Sequence, residues 1–183
     1  ARDRLARLDL EEEALTTIEK TVDEMDLAVR KKDVDAWAKA DERFHRMLEK
    51  YSQVRFIGHA QTWWANIDKG HADQKVLYPK GPVTAGGLTD RYLADYPNMF
   101  GDLSAGSGLN ALSRDEDFTR GFLERHQDKL LFGSDCSDPD GSGAKCQGSQ
   151  TIAVIRRLAA TRTIERKLLY GNATKLLVKP VNG

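Results

Sequence analysis

Residues 1–51 contain neither glycine nor proline, whereas all fifteen glycines and five prolines of the chain lie beyond Ser52. In a helix interior glycine costs about 1 and proline about 3 kcal/mol relative to alanine. A long stretch free of both, and rich in Leu, Ala, Glu, Lys and Arg, is therefore suited to helices, and the remainder to a fold that turns often. Within the first stretch Leu15, Ile18, Val22, Met25 and Val29 recur at alternating spacings of three and four, which predicts one stripe of a helix over about 11–31. Lys32 and Asp33 read as a turn, with Asp33 as the cap of a second helix. On that helix Val34, Trp37, Ala38, Asp41, Phe44, His45, Leu48 and Tyr51 share a face.

From Gln53 onward strand and helix patterns alternate, which argues for parallel α/β units and divides the chain into a helical segment, 1–52, and a second region, 53–183. Three short apolar runs read as strands: Arg55–His59, Met99–Leu103 and Leu130–Ser134. Each ends in polar residues, at His59, at Asp102 with Ser104, and at Asp135. A long loop follows the first strand, and connections of that length are usually functional. Leu88–Tyr96 reads as a helix stopped by Pro97, and Ser104–Leu112 as a glycine-containing loop. Ser113 and Glu116 form a capping-box signature for a helix to about Gln127, with Phe118, Phe122 and Leu123 on its core face. Helices over Thr151–Ala160, Thr163–Tyr170 and Asn172–Val178 close the pattern.

Charge excludes some functions. Twenty-eight acidic residues balance twenty-eight basic ones, so there is no electrostatic case for nucleic acid or an anionic membrane. No apolar run approaches the roughly 18 residues that span a bilayer, which points to a soluble, cytoplasmic protein. Cys136 and Cys146 lie in the glycine-rich loop after the third strand. A disulfide there is conceivable, and two free thiols are the preferred reading in a reducing compartment.

The chemistry-bearing candidates gather at the strand ends. His59 follows a buried strand and precedes Trp63 and Trp64, which suits a general base beside aromatic pocket walls; its blander reading is a hydrogen bond to loop backbone. Asp135 suits a metal ligand or a proton acceptor for metal-bound water, against an Asx turn. His71, in the long loop, is a substrate-contact candidate or simply solvated. His126, at a helix C-terminus, favours the helix dipole rather than chemistry. On the second helix Asp41 and His45, at i and i+4, point the same way and could hold one divalent ion, or merely pair with each other.

The ordered set RFIGHAQTWW, YPNMFGDLSAGSG, KLLFGSDCSD and ERKLLYGNATKLL resembles the last part of a metal-dependent amidohydrolase-related (β/α)8 barrel, over about 53–179. The resemblance implies an α/β fold, a partial barrel with three parallel strands behind a helical hairpin. It also implies hydrolysis or decarboxylation of a small carboxylate, amide or lactone. His59 and Asp135 would be catalytic and would bind a divalent metal, zinc first, and Trp63, Trp64 and His71 would line the substrate pocket. The chain has no His-x-His, which that family uses on its first strand, so the metal would be under-coordinated and activity weak. An open three-stranded sheet would leave edges through which copies could associate.

A second resemblance lies in the first segment. DVDAWAKADERFHRML is similar to the ligand-sensing, all-helical FCD domain of GntR-type bacterial regulators, in which an Asp and a His of a D-x-x-x-H pattern bind a divalent metal. Those positions match Asp41 and His45. This implies the alternative function, a non-catalytic regulator module that senses a metal or a small carboxylate. Together the two resemblances imply a mosaic or a fragment of a larger protein.

Overall fold

The computed structural model describes residues 2–31, 33–136, 141 and 146–177. The chain divides into two compact units, residues 1–56 and 57–183.

The first unit is a pair of helices, α1 (Arg2–Lys31) and α2 (Val34–Lys50), packed against each other. Asp33 caps α2 as its sequence suggests, with Oδ1 accepting from the Ala36 N–H at 2.9 Å. Among the described residues of α1 the buried ones are Ala14, Thr21 and Ala28, and those of α2 include Ala40 and Met47, each series spaced by seven. Leu15, expected inside, is 58% exposed. Alanines occupy part of each series, and α2 buries the larger Met47 and Leu48 beside Ala40. Ala38 is likewise exposed, and the side chains of Val22, Met25, Val29, Val34 and Trp37 lie outside the described residues. Polar contacts tie the helices near one end. Glu13 Oε1 accepts from Lys50 Nζ at 2.7 Å and from the Tyr51 hydroxyl at 3.1 Å. The Lys50 hydrogen bond, with that of Tyr51, holds the Glu13 carboxyl below its ordinary range.

The second unit is mixed α/β and mostly helical. Strands β1 (Phe56–Gly58), β2 (Met99–Asp102) and β3 (Leu130–Leu131) form a small parallel sheet in the order β1-β2-β3, with Gly101 opposite Leu130 and Asp102 opposite Leu131. Three parallel strands agree with the sequence; a barrel does not, because among the described residues the sheet is open. Helix α3 (Ala60–Ala65) follows β1, α4 (Leu88–Asp95) precedes β2, and α5 (Ala105–Ser113) and α6 (Glu116–Arg125) lie between β2 and β3. After β3 come α7 (Gln147–Leu158), α8 (Arg162–Arg166), a π-helical turn Lys167–Gly171, and α9 (Asn172–Leu177). Trp64, Leu93, Leu103, Leu112, Phe122, Leu123, Leu130, Ile155 and Leu158 form the buried centre.

Several local expectations shift, each for a visible reason. Ser104–Leu112, read as a loop for its glycines, contains α5. A Cβ on Gly108 would lie 2.2 Å from the Leu103 carbonyl oxygen, so this glycine serves close packing within a helix rather than a turn. The cap of α6 is Asp115, whose Oδ1 accepts from Phe118 N–H at 3.0 Å. The expected cap Ser113 instead donates to Leu109 O at 2.7 Å and ends α5. Trp63 and Trp64, expected in loop, ride on α3.

The strand β3 is short because the chain beyond it bonds elsewhere. Its ladder to β2 includes Gly101 N–H to Lys129 O at 3.0 Å and Leu103 N–H to Leu131 O at 2.8 Å. On the opposite side Phe132 N–H donates to Leu168 O at 3.0 Å, and Asn172 Nδ2 donates to Leu130 O at 2.8 Å and Gln127 O at 2.7 Å. The edge of the sheet at β3 is thereby covered by the C-terminal helical segment.

Candidate functional site

In the second unit the exits of the three strands share a backbone feature. Each passes through a non-glycine residue of positive φ: Ala60 (74°) after β1, Ala105 (63°) after β2 and Asp135 (48°) after β3. Such residues are uncommon and concentrate where a chain must be re-aimed sharply. The first two bring His59 and Ser104 together beside Asp102. His59 Nδ1 lies 2.9 Å from Asp102 Oδ2 and 3.3 Å from Ser104 Oγ, while Ser104 donates from Oγ to Asp102 Oδ2 at 2.7 Å and from N–H to Oδ1 at 2.9 Å.

Asp102 and Ser104 thus form a closed turn at the end of β2, with His59 hydrogen-bonding its rim. Asp102 Oδ2 and Ser104 Oγ both approach the same imidazole nitrogen. The arrangement therefore differs from a relay in which histidine bridges serine and aspartate through two different nitrogens. Gly133 abuts the cluster, since a Cβ there would lie 3.0 Å from Asp102 Oδ1. Asp135 is exposed, and among the described residues its carboxylate makes no hydrogen bond or ion pair. His59 and Asp135, paired in the sequence reading, are therefore not joined by any described contact. Among the described residues no group of three or more His, Cys, Asp or Glu side chains is placed to hold a metal ion.

The remaining candidates separate. Trp64 is buried at 2% exposure, and its indole N–H donates to Asp102 O at 2.8 Å, locking α3 to the end of β2. Trp63 stacks on Tyr92 with ring centres 6.1 Å apart. His71 sits in the loop between α3 and α4, its N–H donating to Asp68 O at 3.1 Å. His126 ends α6, as its sequence position suggests, and its imidazole is buried against Asp90, Nε2 to Oδ1 2.6 Å.

A surface cleft of about 660 Å³ runs past His126, Asp90, Arg125 and Lys129. Several of the polar groups that line it are engaged structurally. Arg125 also pairs with Asp90, at 3.1 Å, and Lys129 Nζ donates to Leu93 O at 2.5 Å and Tyr96 O at 2.6 Å, fastening the end of α4. Burial pushes the Lys129 ammonium below its ordinary pKa, opposed by the charge of Asp95. Burial raises the Asp90 carboxyl, but the His126 hydrogen bond and the charges of Arg125 and His126 outweigh it and hold it below the usual carboxylate range.

In the first unit the helical spacing does what the sequence suggests for one pair. His45 Nε2 lies 3.5 Å from Asp41 Oδ2 on the same face of α2, their side chains 37% and 19% exposed. Two donors on one helix face suit a weakly held, water-rich divalent ion and do not by themselves make a closed tetrahedral centre.

Cys136 and Cys146 are joined by a disulfide, against the preference for free thiols. The sequence shows their spacing but not that the start of α7 returns to the exit of β3. Gly148 N–H in fact donates to Cys136 Sγ at 3.2 Å.

Among the described residues searched, no helix is long and apolar enough to cross a membrane. Comparison with known proteins yields one informative result. A family model, that of the FCD domain, matches residues 4–72, while no curated protein and no solved structure matches the chain. The match overturns the expectation of a metal-dependent hydrolase built on a barrel: the family signal covers the helical segment and runs on past β1 and α3 to residue 72, and nothing supports an amidohydrolase barrel. It spans less than half of the chain and includes α2 and all of α1 but its first two residues. Residues 4–72, with Asp41 and His45 among them, are similar to an FCD domain.

Proposed function

We propose that the chain acts as a non-catalytic regulatory module whose helical segment senses a small ligand, a divalent metal ion or a small carboxylate, at Asp41 and His45. The observation that carries this reading is the coincidence of the FCD match over residues 4–72 with the i, i+4 Asp–His pair inside it. One carboxylate oxygen and one imidazole nitrogen offer two hard-to-borderline donors, which suit a divalent first-row cation. The remaining coordination positions would be left to water or to the oxygens of a bound carboxylate. Such a site exchanges its ligand readily, as a sensor requires and a structural metal centre does not.

Equilibrium dialysis of the full chain against manganese, nickel and zinc, with and without a small dicarboxylate such as succinate, tests the reading. Saturable binding that is lost in both Asp41→Ala and His45→Ala supports it. Binding that survives both substitutions, or the absence of saturable binding by any of these ions and by succinate, refutes it.

A further inference from the structure

We infer that Cys136–Cys146 is an exchangeable redox site, a thiol–disulfide switch that reacts with small thiols and dithiols through Cys136 while the chain stays folded. The inference is independent of the proposed sensing function and rests on three features of the second unit.

The first is unequal access. Cys146 is 2% exposed, whereas Cys136 is only half-buried, so of the two residues Cys136 is the one open to an incoming thiolate. Exchange requires in-line approach to the attacked sulfur, and access therefore fixes the regiochemistry.

The second feature is the surroundings of the accessible sulfur. Cys136 Sγ accepts the Gly148 N–H at 3.2 Å, in the first turn of α7, a helix of 12 residues. A sulfur at a helix N-terminus that accepts a backbone hydrogen bond is one whose thiolate is favoured. That contact is available to the reduced form as well, so reduction does not strand a buried polar group.

The third is what the bond fastens. Cys146 is the residue that caps α7, and Cys136 follows Asp135, the positive-φ residue after β3. A Cβ on Gly148 would lie 2.6 Å from Ser134 Cβ, so α7 starts directly against the strand exit. The disulfide is the covalent part of that junction, and the hydrogen bond and packing remain when it opens.

The exchange balances as follows. A thiolate of an external dithiol attacks Cys136 Sγ, forming a mixed disulfide and breaking the Cys136–Cys146 bond. The electron pair leaves on Cys146 Sγ, which takes a proton from solvent. The second thiolate of the dithiol then attacks its own sulfur in the mixed disulfide, closing the reagent's ring and releasing Cys136 as a thiolate held by the Gly148 N–H. Two electrons pass from the dithiol, which attacks as its thiolates, to the protein; Cys146 gains one proton from solvent while Cys136 stays a thiolate, and oxidation runs the sequence backwards.

The test uses the full chain without denaturant. Treatment with dithiothreitol, followed by maleimide labelling and intact-mass measurement, is expected to show two labelled thiols while far-ultraviolet circular dichroism is retained. Limiting iodoacetamide, applied to the reduced chain and read by peptide mapping, is expected to modify Cys136 at least tenfold more than Cys146, and 2-mercaptoethanol disulfide serves for the single-cysteine variant. Cys146→Ser provides a second route, since its Cys136 should form the mixed disulfide while the chain remains folded. Reduction that proceeds only as the chain unfolds overturns the inference by making the bond purely structural. Trapping predominantly at Cys146 overturns it by removing the assigned entry point.

Discussion

Replacing Asn172 with alanine should weaken the second unit by about 2–4 kcal/mol. Its side-chain amide donates to Leu130 O and Gln127 O at 2.8 and 2.7 Å, and Asn172 itself is only 7% exposed. Each neutral hydrogen bond is worth about 1 kcal/mol net, and an acceptor left buried without a partner adds roughly another 1 kcal/mol or more. Leu130 O is the more costly loss, because Leu130 is fully buried and its carbonyl lies on the side of β3 that faces away from β2. The loss is large against the roughly 5–15 kcal/mol that stabilises a typical domain. Trp63 and Trp64 report on this unit, so urea unfolding followed by tryptophan fluorescence in a Trp37→Phe background isolates it. A lowered midpoint with an unchanged slope is expected, together with concentration-dependent association on size-exclusion chromatography as the edge of β3 opens. A loss below about 0.5 kcal/mol with an unchanged elution profile would refute the claim that Asn172 covers that edge.

Gly108→Ala should cost about 1–3 kcal/mol, since its methyl would meet the Leu103 carbonyl; thermal denaturation measures it, and an unchanged midpoint refutes the close approach. The depressed Asp90 carboxyl implies a pH dependence. Its stabilisation is fully present above the ordinary carboxylate pKa of about 4 and is lost as pH falls through the lower folded value. Wild type and Asp90→Asn should therefore differ in melting temperature at pH 7 and converge in acid, whereas a constant gap would count against the His126–Asp90–Arg125 assignment. Trp64→Phe should lose about 1 kcal/mol with its hydrogen bond to Asp102 O, read by the same urea titration; no loss would show that α3 is held to β2 by packing alone.

The sequence is most informative where a local rule decides the outcome. Asp33 caps α2 because a carboxylate ahead of a helix has few better uses, and the three strands are parallel because helices alternate with them. Asp41 and His45 meet because i and i+4 always share a helix face. Reading fails where tertiary contact decides. No local pattern shows that Gly108 lies under a carbonyl, that Asn172 reaches the far side of β3, or that α7 begins against Cys136. On α1 the periodicity of bulky residues puts Leu15 inside, whereas Leu15 is exposed and its neighbour Ala14 is buried. The strand-end residues are a different case. His59, Asp102 and Ser104 do converge, but much of their hydrogen-bonding capacity closes the turn after β2, and Asp135 stands apart from any described partner. A set of polar strand ends is common to many parallel sheets and does not by itself specify a reaction.

The central claim places ligand sensing on α2 rather than chemistry at the strand ends. Calorimetric titration of a divalent ion into wild type, Asp41→Ala, His45→Ala and Asp135→Ala separates the two. The account predicts that binding disappears with either substitution on α2 and is unchanged in Asp135→Ala. Loss of binding in Asp135→Ala with both α2 variants intact would contradict it.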